Sequence, residues 1–235
     1  MDTVAMHIAD GIIDGPTSAV FAAVALALLA ACVVKARDDL DERLVPMAGL
    51  TAAFIFAVQM LNFAVLPGVS GHLLGGAMAA ALVGPWVGAL CVSTVLIVQA
   101  LMFADGGITA LGLSIVNMAL IGALVTYGIL RLLLKLLPRT RSGVTVAVFV
   151  TSVVSVVAGA AGFVLQFAIG GVADFGPGLG AIATGMLGIH LLIGVGEGVI
   201  TATTVLAVAT ARPDLVHALR GHTLPHRPAV AGGAE

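Results

Sequence analysis

Charge is scarce in this chain. Of 235 residues only 9% are Asp, Glu, Lys or Arg, against 60% hydrophobic, and the mean hydropathy is +1.17. A water-soluble domain carries roughly a quarter of its residues as charged groups, so this composition excludes one. Aromatics are few, with one Trp and one Tyr, and no basic patch interleaved with aromatic rings exists to bind nucleic acid. The sequences H-E-x-x-H, G-x-S-x-G and the Walker loop are absent, which leaves an intramembrane metalloprotease and a nucleotide-binding subunit without support. No internal repeat is visible either, and an inverted-repeat carrier thereby loses its usual sequence mark.

What the chain has is long apolar runs separated by three basic clusters: Lys35, Arg37 and Arg43; Arg131, Lys135, Arg139 and Arg141; Arg212, Arg220 and Arg227. Short cytoplasmic loops retain Lys and Arg, so all three clusters are expected on the cytoplasmic side. Parity then fixes the crossings. Apolar stretches over 45–66, 71–86, 87–104 and 112–134 lie between the first two clusters, and the second of these, Gly-rich and short, has to cross for both clusters to share a side. Two more spans, 144–169 and 180–209, reach the third cluster, and 17–34 brings the N-terminus in from outside. The expected fold is an all-α integral membrane protein with about seven transmembrane helices, the N-terminus outside and the C-terminus cytoplasmic.

The run Leu29-Ala30-Ala31-Cys32 looks like a lipoprotein signal, but Asp2, Asp10 and Asp14 precede the first span and the bases follow it, the reverse of a signal peptide's polarity. Cys32 and Cys91 fall near cytoplasmic helix ends, where thiols stay reduced. One membrane domain is expected over residues 1–212, with 213–235, which holds His217, His222 and His226, as a frayed polar cytoplasmic tail.

A charge inside hydrocarbon costs about 2.5 to 3.5 kcal/mol, so each polar residue in a span asks for a partner or a task. Gln59, Asn62, Gln99, Asn117 and Gln166 read as amides hydrogen-bonding between helices, or as groups around a substrate path. His190 and Glu197 share a helix face about 10.5 Å apart, too far to exchange a proton directly, and read either as polar anchors or as groups in substrate passage.

Two histidines fall on the external side: His7 in Met6-His7-Ile8-Ala9-Asp10-Gly11 and His72 in Ser70-Gly71-His72-Leu73-Leu74-Gly75-Gly76. Neutral imidazole suits nickel, cobalt, copper and zinc. A histidine second after a free amine can bind one metal through the amine, its own deprotonated amide and its imidazole, leaving one corner of a square-planar site for another imidazole. Four nitrogens in a plane lean toward nickel(II) over cobalt(II), and they leave no open position for metal-based catalysis. Residues 6–16 are thus the candidate metal-binding segment.

With Phe56-Ala57-Val58-Gln59-Met60-Leu61-Asn62-Phe63, Gly84-Pro85-Trp86, Asp105-Gly106-Gly107-Ile108-Thr109-Ala110-Leu111-Gly112 and Asn117-Met118, these motifs in this order resemble the cobalt/nickel permease family (CbiM/NikM), the substrate-capturing S component of energy-coupling factor transporters. The resemblance implies an N-terminal segment tucked into the bundle and a metal held by the amine of Met6, the amide and imidazole of His7, and the imidazole of His72. It implies Ni2+ or Co2+ as transported substrate with no permanent cofactor, and no enzymatic activity in this chain itself. The implied partners are a transmembrane T component, a pair of ATP-binding-cassette ATPases and a small accessory membrane subunit, in the plasma membrane of a bacterium or archaeon. One departure stands out: Met1-Asp2-Thr3-Val4-Ala5 precede Met6 and would block its amine, so these five residues are expected to be dispensable. A self-sufficient secondary carrier, with His190 and Glu197 as its relay, is the alternative.

Overall fold

The computed structural model describes residues 7–39, 42, 44–60, 62–66 and 69–220, with backbone alone over 62–66 and 69–70. The chain runs α1 (Gly15–Asp39), α2 (Leu44–Gln59), β1 (Asn62–Leu66), β2 (Val69–His72), α3 (Gly76–Val83), α4 (Pro85–Met102), α5 (Leu111–Ser114), a π-helical stretch Ile115–Val125, α6 (Thr126–Leu136), α7 (Arg141–Gly170) and α8 (Leu179–Ala211), closing on two short 3-10 turns. Five helical rods are long and apolar enough to cross a membrane: α1, α4, the continuous rod Leu111–Leu136, α7 and α8. The protein is therefore a predominantly helical membrane protein.

Helix α3 forms the axis. All eight of its residues are buried, and it touches the other helices of the bundle on several sides. Its sequence, Gly-Ala-Met-Ala-Ala-Ala-Leu-Val, permits this because small side chains let neighbouring backbones approach. A Cβ on Gly76 would stand 2.6 Å from the carbonyl carbon of Gly122, in the π-helical stretch. That wider turn leaves the Gly122 carbonyl free to accept from the hydroxyls of Ser155, at 3.0 Å, and Thr126.

Several elements depart from the sequence expectation. The continuous helix expected over 45–66 does not form: α2 ends at Gln59, and β1 pairs antiparallel with β2 in the register Asn62↔His72, Phe63↔Gly71, Ala64↔Ser70 and Leu66↔Val69. Phe63, Val65 and Val69 are residue types that suit a pleated strand. The paired backbones satisfy each other, as an apolar surrounding demands. Within the stretch 71–86 only Gly76–Val83 is helical, because Gly75 (φ 77) and Gly84 (φ 89) bend the chain at its two ends, and α4 already begins at Pro85.

The tail reading is also corrected for its first part. Instead of fraying from Pro213, the chain makes two turns that bury Val216, Ala218 and Leu219 against the end of α3. Those side chains are apolar and leave hydrocarbon-facing packing as their better environment. The His217 ring lies over Gly84, whose Cβ would stand 2.8 Å from it, and faces Tyr127 with ring centroids 5.8 Å apart. Burial, and next Arg220, lower the His217 pKa below the ordinary imidazole range, while Asp39 and Arg131 also bear on it. The ends of α1 and α8 and the basic side of α6 thus meet at one end of the bundle. His222, His226 and Arg227 lie outside the described residues.

Candidate metal centre

The segment His7–Asp14 is threaded into the other end of the bundle. Ile12 and Ile13 bury their side chains in a cluster with Ala110, Leu113, Phe163 and Met186. The polar residues between tie down the backbone. The Gly107 N–H donates to the Ile8 carbonyl at 2.8 Å, the Thr109 N–H donates to Asp10 Oδ1 at 2.9 Å, and the Thr109 hydroxyl donates to the same oxygen. The Thr109 hydroxyl chiefly, with its N–H, holds the Asp10 carboxyl below the ordinary carboxylate range. On the far side, Asp14 N–H donates to Gly170 O at 2.7 Å and Val172 N–H to Ile12 O at 3.0 Å.

The run Asp105-Gly106-Gly107-Ile108-Thr109 is the cradle of this segment. A Cβ on Gly106 would meet His7 Cβ at 2.8 Å, and one on Gly107 would overlap Asp10 Oδ1 and its backbone nitrogen. Gly106 also has φ 92, which glycine adopts without strain. The sequence motif is thus a close approach of two backbones.

This cradle delivers His7 to His72. The two rings stand edge to face with centroids 4.4 Å apart, both buried. His7 Nε2 donates to Gln99 Oε1 at 3.0 Å, which leaves the lone pair on Nδ1, an atom with no hydrogen-bond partner among the described residues. His72 is tied the opposite way: its Nδ1–H donates to the Leu73 carbonyl at 2.9 Å and leaves the lone pair on Nε2. Burial lowers the His7 pKa to about 4, toward the neutral state in which imidazole binds metal. Met6 lies outside the described residues.

The backbone after His72 is clamped from two sides. Glu197 accepts the N–H of Leu74 at 2.5 Å and of Gly75 at 3.1 Å, one on each carboxylate oxygen, and Gln59 Nε2 donates to the Leu74 carbonyl at 2.8 Å. Gln59 and Glu197, from helices far apart in sequence, therefore hold the same two residues, Leu74 and Gly75. Asn62 pairs with His72 through the backbone, and its side chain is outside the described set. Asn117 and Gln166 exchange two hydrogen bonds with each other, at 2.7 and 2.9 Å. His190 donates from Nδ1 to the Met186 carbonyl at 2.7 Å. His7, His72, Asn117 and His190 line one cavity of about 70 Å³ beside the histidine pair, with Met118, Phe163 and Met186.

The sequence reading does not find Asp105, buried with Oδ2 3.8 Å from His7 Nε2, or the role of Asp10. Both sit in quoted motifs, and an acid directly before glycine, Asp10-Gly11 and Asp105-Gly106-Gly107, is the signal that could have marked them. Among the described residues no three His, Cys, Asp or Glu side chains form a group able to hold a metal ion. Two imidazoles with opposite nitrogens presented, at the buried end of a pinned segment, are what the arrangement offers.

A family model described as "Cobalt uptake substrate-specific transmembrane region" (CbiM) matches residues 7–215. A cobalt transport protein CbiM of Sorangium cellulosum is 31% identical over 220 residues, covering 92% of this chain and 96% of that one. The fused nickel transport protein NikMN of Rhodobacter capsulatus is 38% identical over 120 residues, covering 51% of this chain and 35% of its own length. Among solved structures, the crystal structure of a truncated transition metal transporter superposes with a TM-score of 0.76 at 32% identity, covering 87% of this chain and 99% of that chain. The match spans the whole bundle and both site histidines, and this chain belongs to the CbiM family of cobalt and nickel transport proteins.

Proposed function

We propose that this chain is the metal-capturing S component of an energy-coupling factor importer, taking up Ni2+ or Co2+ from outside the cell. In this reading the ion is bound by the amine of Met6, the amide and Nδ1 of His7 and Nε2 of His72. The observation that carries it is the edge-to-face pair His7–His72, 4.4 Å apart, with a ligand lone pair directed to Nδ1 in one ring and Nε2 in the other. Nδ1 is the ring nitrogen that closes a six-membered chelate with the residue's own amide. Gln99 and Asp105 orient His7, and Glu197 and Gln59 hold the backbone that carries His72.

The chain makes seven crossings with its N-terminus outside. Four α2 turns and hairpin β1–β2 together complete one crossing, and the hairpin with α3 the next. The site then opens to the external medium, and the basic loops face a T component, its ATPase pair and a small accessory subunit across the cytoplasmic side of the plasma membrane. Hydrolysis of ATP belongs to separate chains, and this chain binds its substrate without chemistry.

Titrating the purified protein with Ni2+ and Co2+ tests the reading. Stoichiometric binding that His7→Ala and His72→Ala each abolish is expected; unimpaired binding in both variants overturns the site. Uptake by cells lacking any ATPase partner would favour a secondary carrier instead.

A further inference from the structure

Two of the three histidines around the 70 Å³ cavity are used by the capture reading; His190 is not. It is buried in an otherwise apolar part of α8, and its Nδ1–H is spent on the Met186 carbonyl one turn back. The lone pair is therefore on Nε2, in a ring that forms part of the cavity wall. His72 is fixed by the same device, its Nδ1–H donated to a carbonyl and its Nε2 left for the cavity. The cavity is large enough for a few waters or an ion with part of its hydration shell. Yet the three imidazoles do not converge into a metal-holding group. His190 thus lines the same cavity as the His7–His72 pair, a ready donor outside the resting ligand set.

That placement has a chemical meaning. A four-coordinate square-planar ion exchanges ligands by attack of a fifth donor along its open axis, the new bond forming before an old one breaks. A fixed imidazole on the cavity wall is such a donor. We propose that His190 is the entering ligand for the transported ion, opening the coordination sphere and drawing the ion off His72 into the cavity. The inference rests on the capture reading above. The step balances simply: the bond from His190 Nε2 to the metal forms, the bond from His72 Nε2 breaks, and neither proton nor electron moves. Run backwards, the same exchange seats an incoming ion.

An entering ligand accelerates exchange in both directions and leaves the equilibrium alone. With the full chain and Ni2+ as probe, the rate of metal loss to excess EDTA, the rate of loading and the Kd are measured for the wild type and His190→Gln. The expected result is that both rates fall about tenfold while Kd is unchanged within error. His190→Met, which fills the same space with a weaker donor, should restore part of the rate. Unchanged rates overturn the proposal. So does a rise in Kd, which would make His190 a resident ligand or a prop of the fold, two cases that the melting temperature of the apo variant separates. A wild-type protein that fails to bind Ni2+ stoichiometrically would overturn the capture reading itself.

Discussion

At the scale of single residues the two histidines are defined by what holds their non-ligating nitrogens. Gln99 takes the Nε2–H of His7, and the Leu73 carbonyl takes the Nδ1–H of His72. Gln99→Leu would leave that N–H buried with no acceptor within hydrogen-bond distance, the Asp105 carboxylate standing at 3.8 Å, at a cost of about 1–3 kcal/mol, and free the ring to present the wrong nitrogen. Nickel affinity should fall at least tenfold, read by calorimetry, with the apo protein still folded. Burial of the His7 ring also makes stability depend on pH. Its folded pKa, about 4, lies below the ordinary 6.5, so between these limits the unfolded chain binds a proton that the folded chain refuses. Stability is therefore fully present above pH 6.5 and is lost as pH falls toward 4. From pH 7 to pH 5 the loss is on the order of 2 kcal/mol, and His7→Ala should flatten the melting-temperature profile over that interval.

At the scale of elements the loop 103–110 and the stretch 72–75 do the positioning. Gly107→Ala would force the cradle off Asp10, since the new methyl would overlap the carboxyl oxygen and the backbone nitrogen there. The bundle does not depend on that contact, so the apo melting temperature should change little while metal affinity drops tenfold or more. Gly84→Ala makes the opposite pattern. It places a side chain at φ 89, ψ 163 and 2.8 Å from the His217 ring, costing about 1–3 kcal/mol of stability at the end of the bundle away from the metal centre. How far such elements were legible in sequence depends on what each run encodes. The five long rods follow from apolar runs of 18 residues or more, which leave few alternatives to a helix. The hairpin after Gln59 was not legible, because hydropathy sees Asn62–Leu66 as one more apolar stretch and is blind to the difference between helical and extended backbone. The burial of Val216, Ala218 and Leu219 was masked by the polar residues among them. Of the site, His7 and His72 were legible as histidines in glycine-rich or N-terminal motifs; their contact across 65 positions, and the clamp of Glu197 on Leu74 and Gly75, exist only in the fold.

At the scale of the whole molecule, charge and geometry divide the bundle into two ends. The pinned segment His7–Asp14, the loop 103–110 and the strand-like bridge of Ile13 with Gly171 gather at one. The other end collects the close of α1 and α8, with Arg131 and Arg220 both acting on His217. The described Lys and Arg lie in segments that join this second end, and in the proposed topology the retention of basic residues in the cytoplasm turns the first end outward. The consequence can be measured directly. Cys32 and Cys91 are buried, so a single new thiol at an exposed position reports its own side of the membrane. In intact cells, a membrane-impermeant maleimide should label Asp174→Cys, in the exposed loop between α7 and α8, and spare Arg139→Cys, between α6 and α7, until the membrane is broken. Labelling of Arg139→Cys alone would invert the protein and turn the metal centre toward the cytoplasm, where a captured ion could only be exported. Labelling of Arg37→Cys but not Arg139→Cys in intact cells, or the reverse, would break the parity that makes α3, eight residues and about 12 Å long, part of a crossing. In the proposed topology the side on which the metal centre opens thus depends on a short buried helix that reaches across only with the hairpin before it.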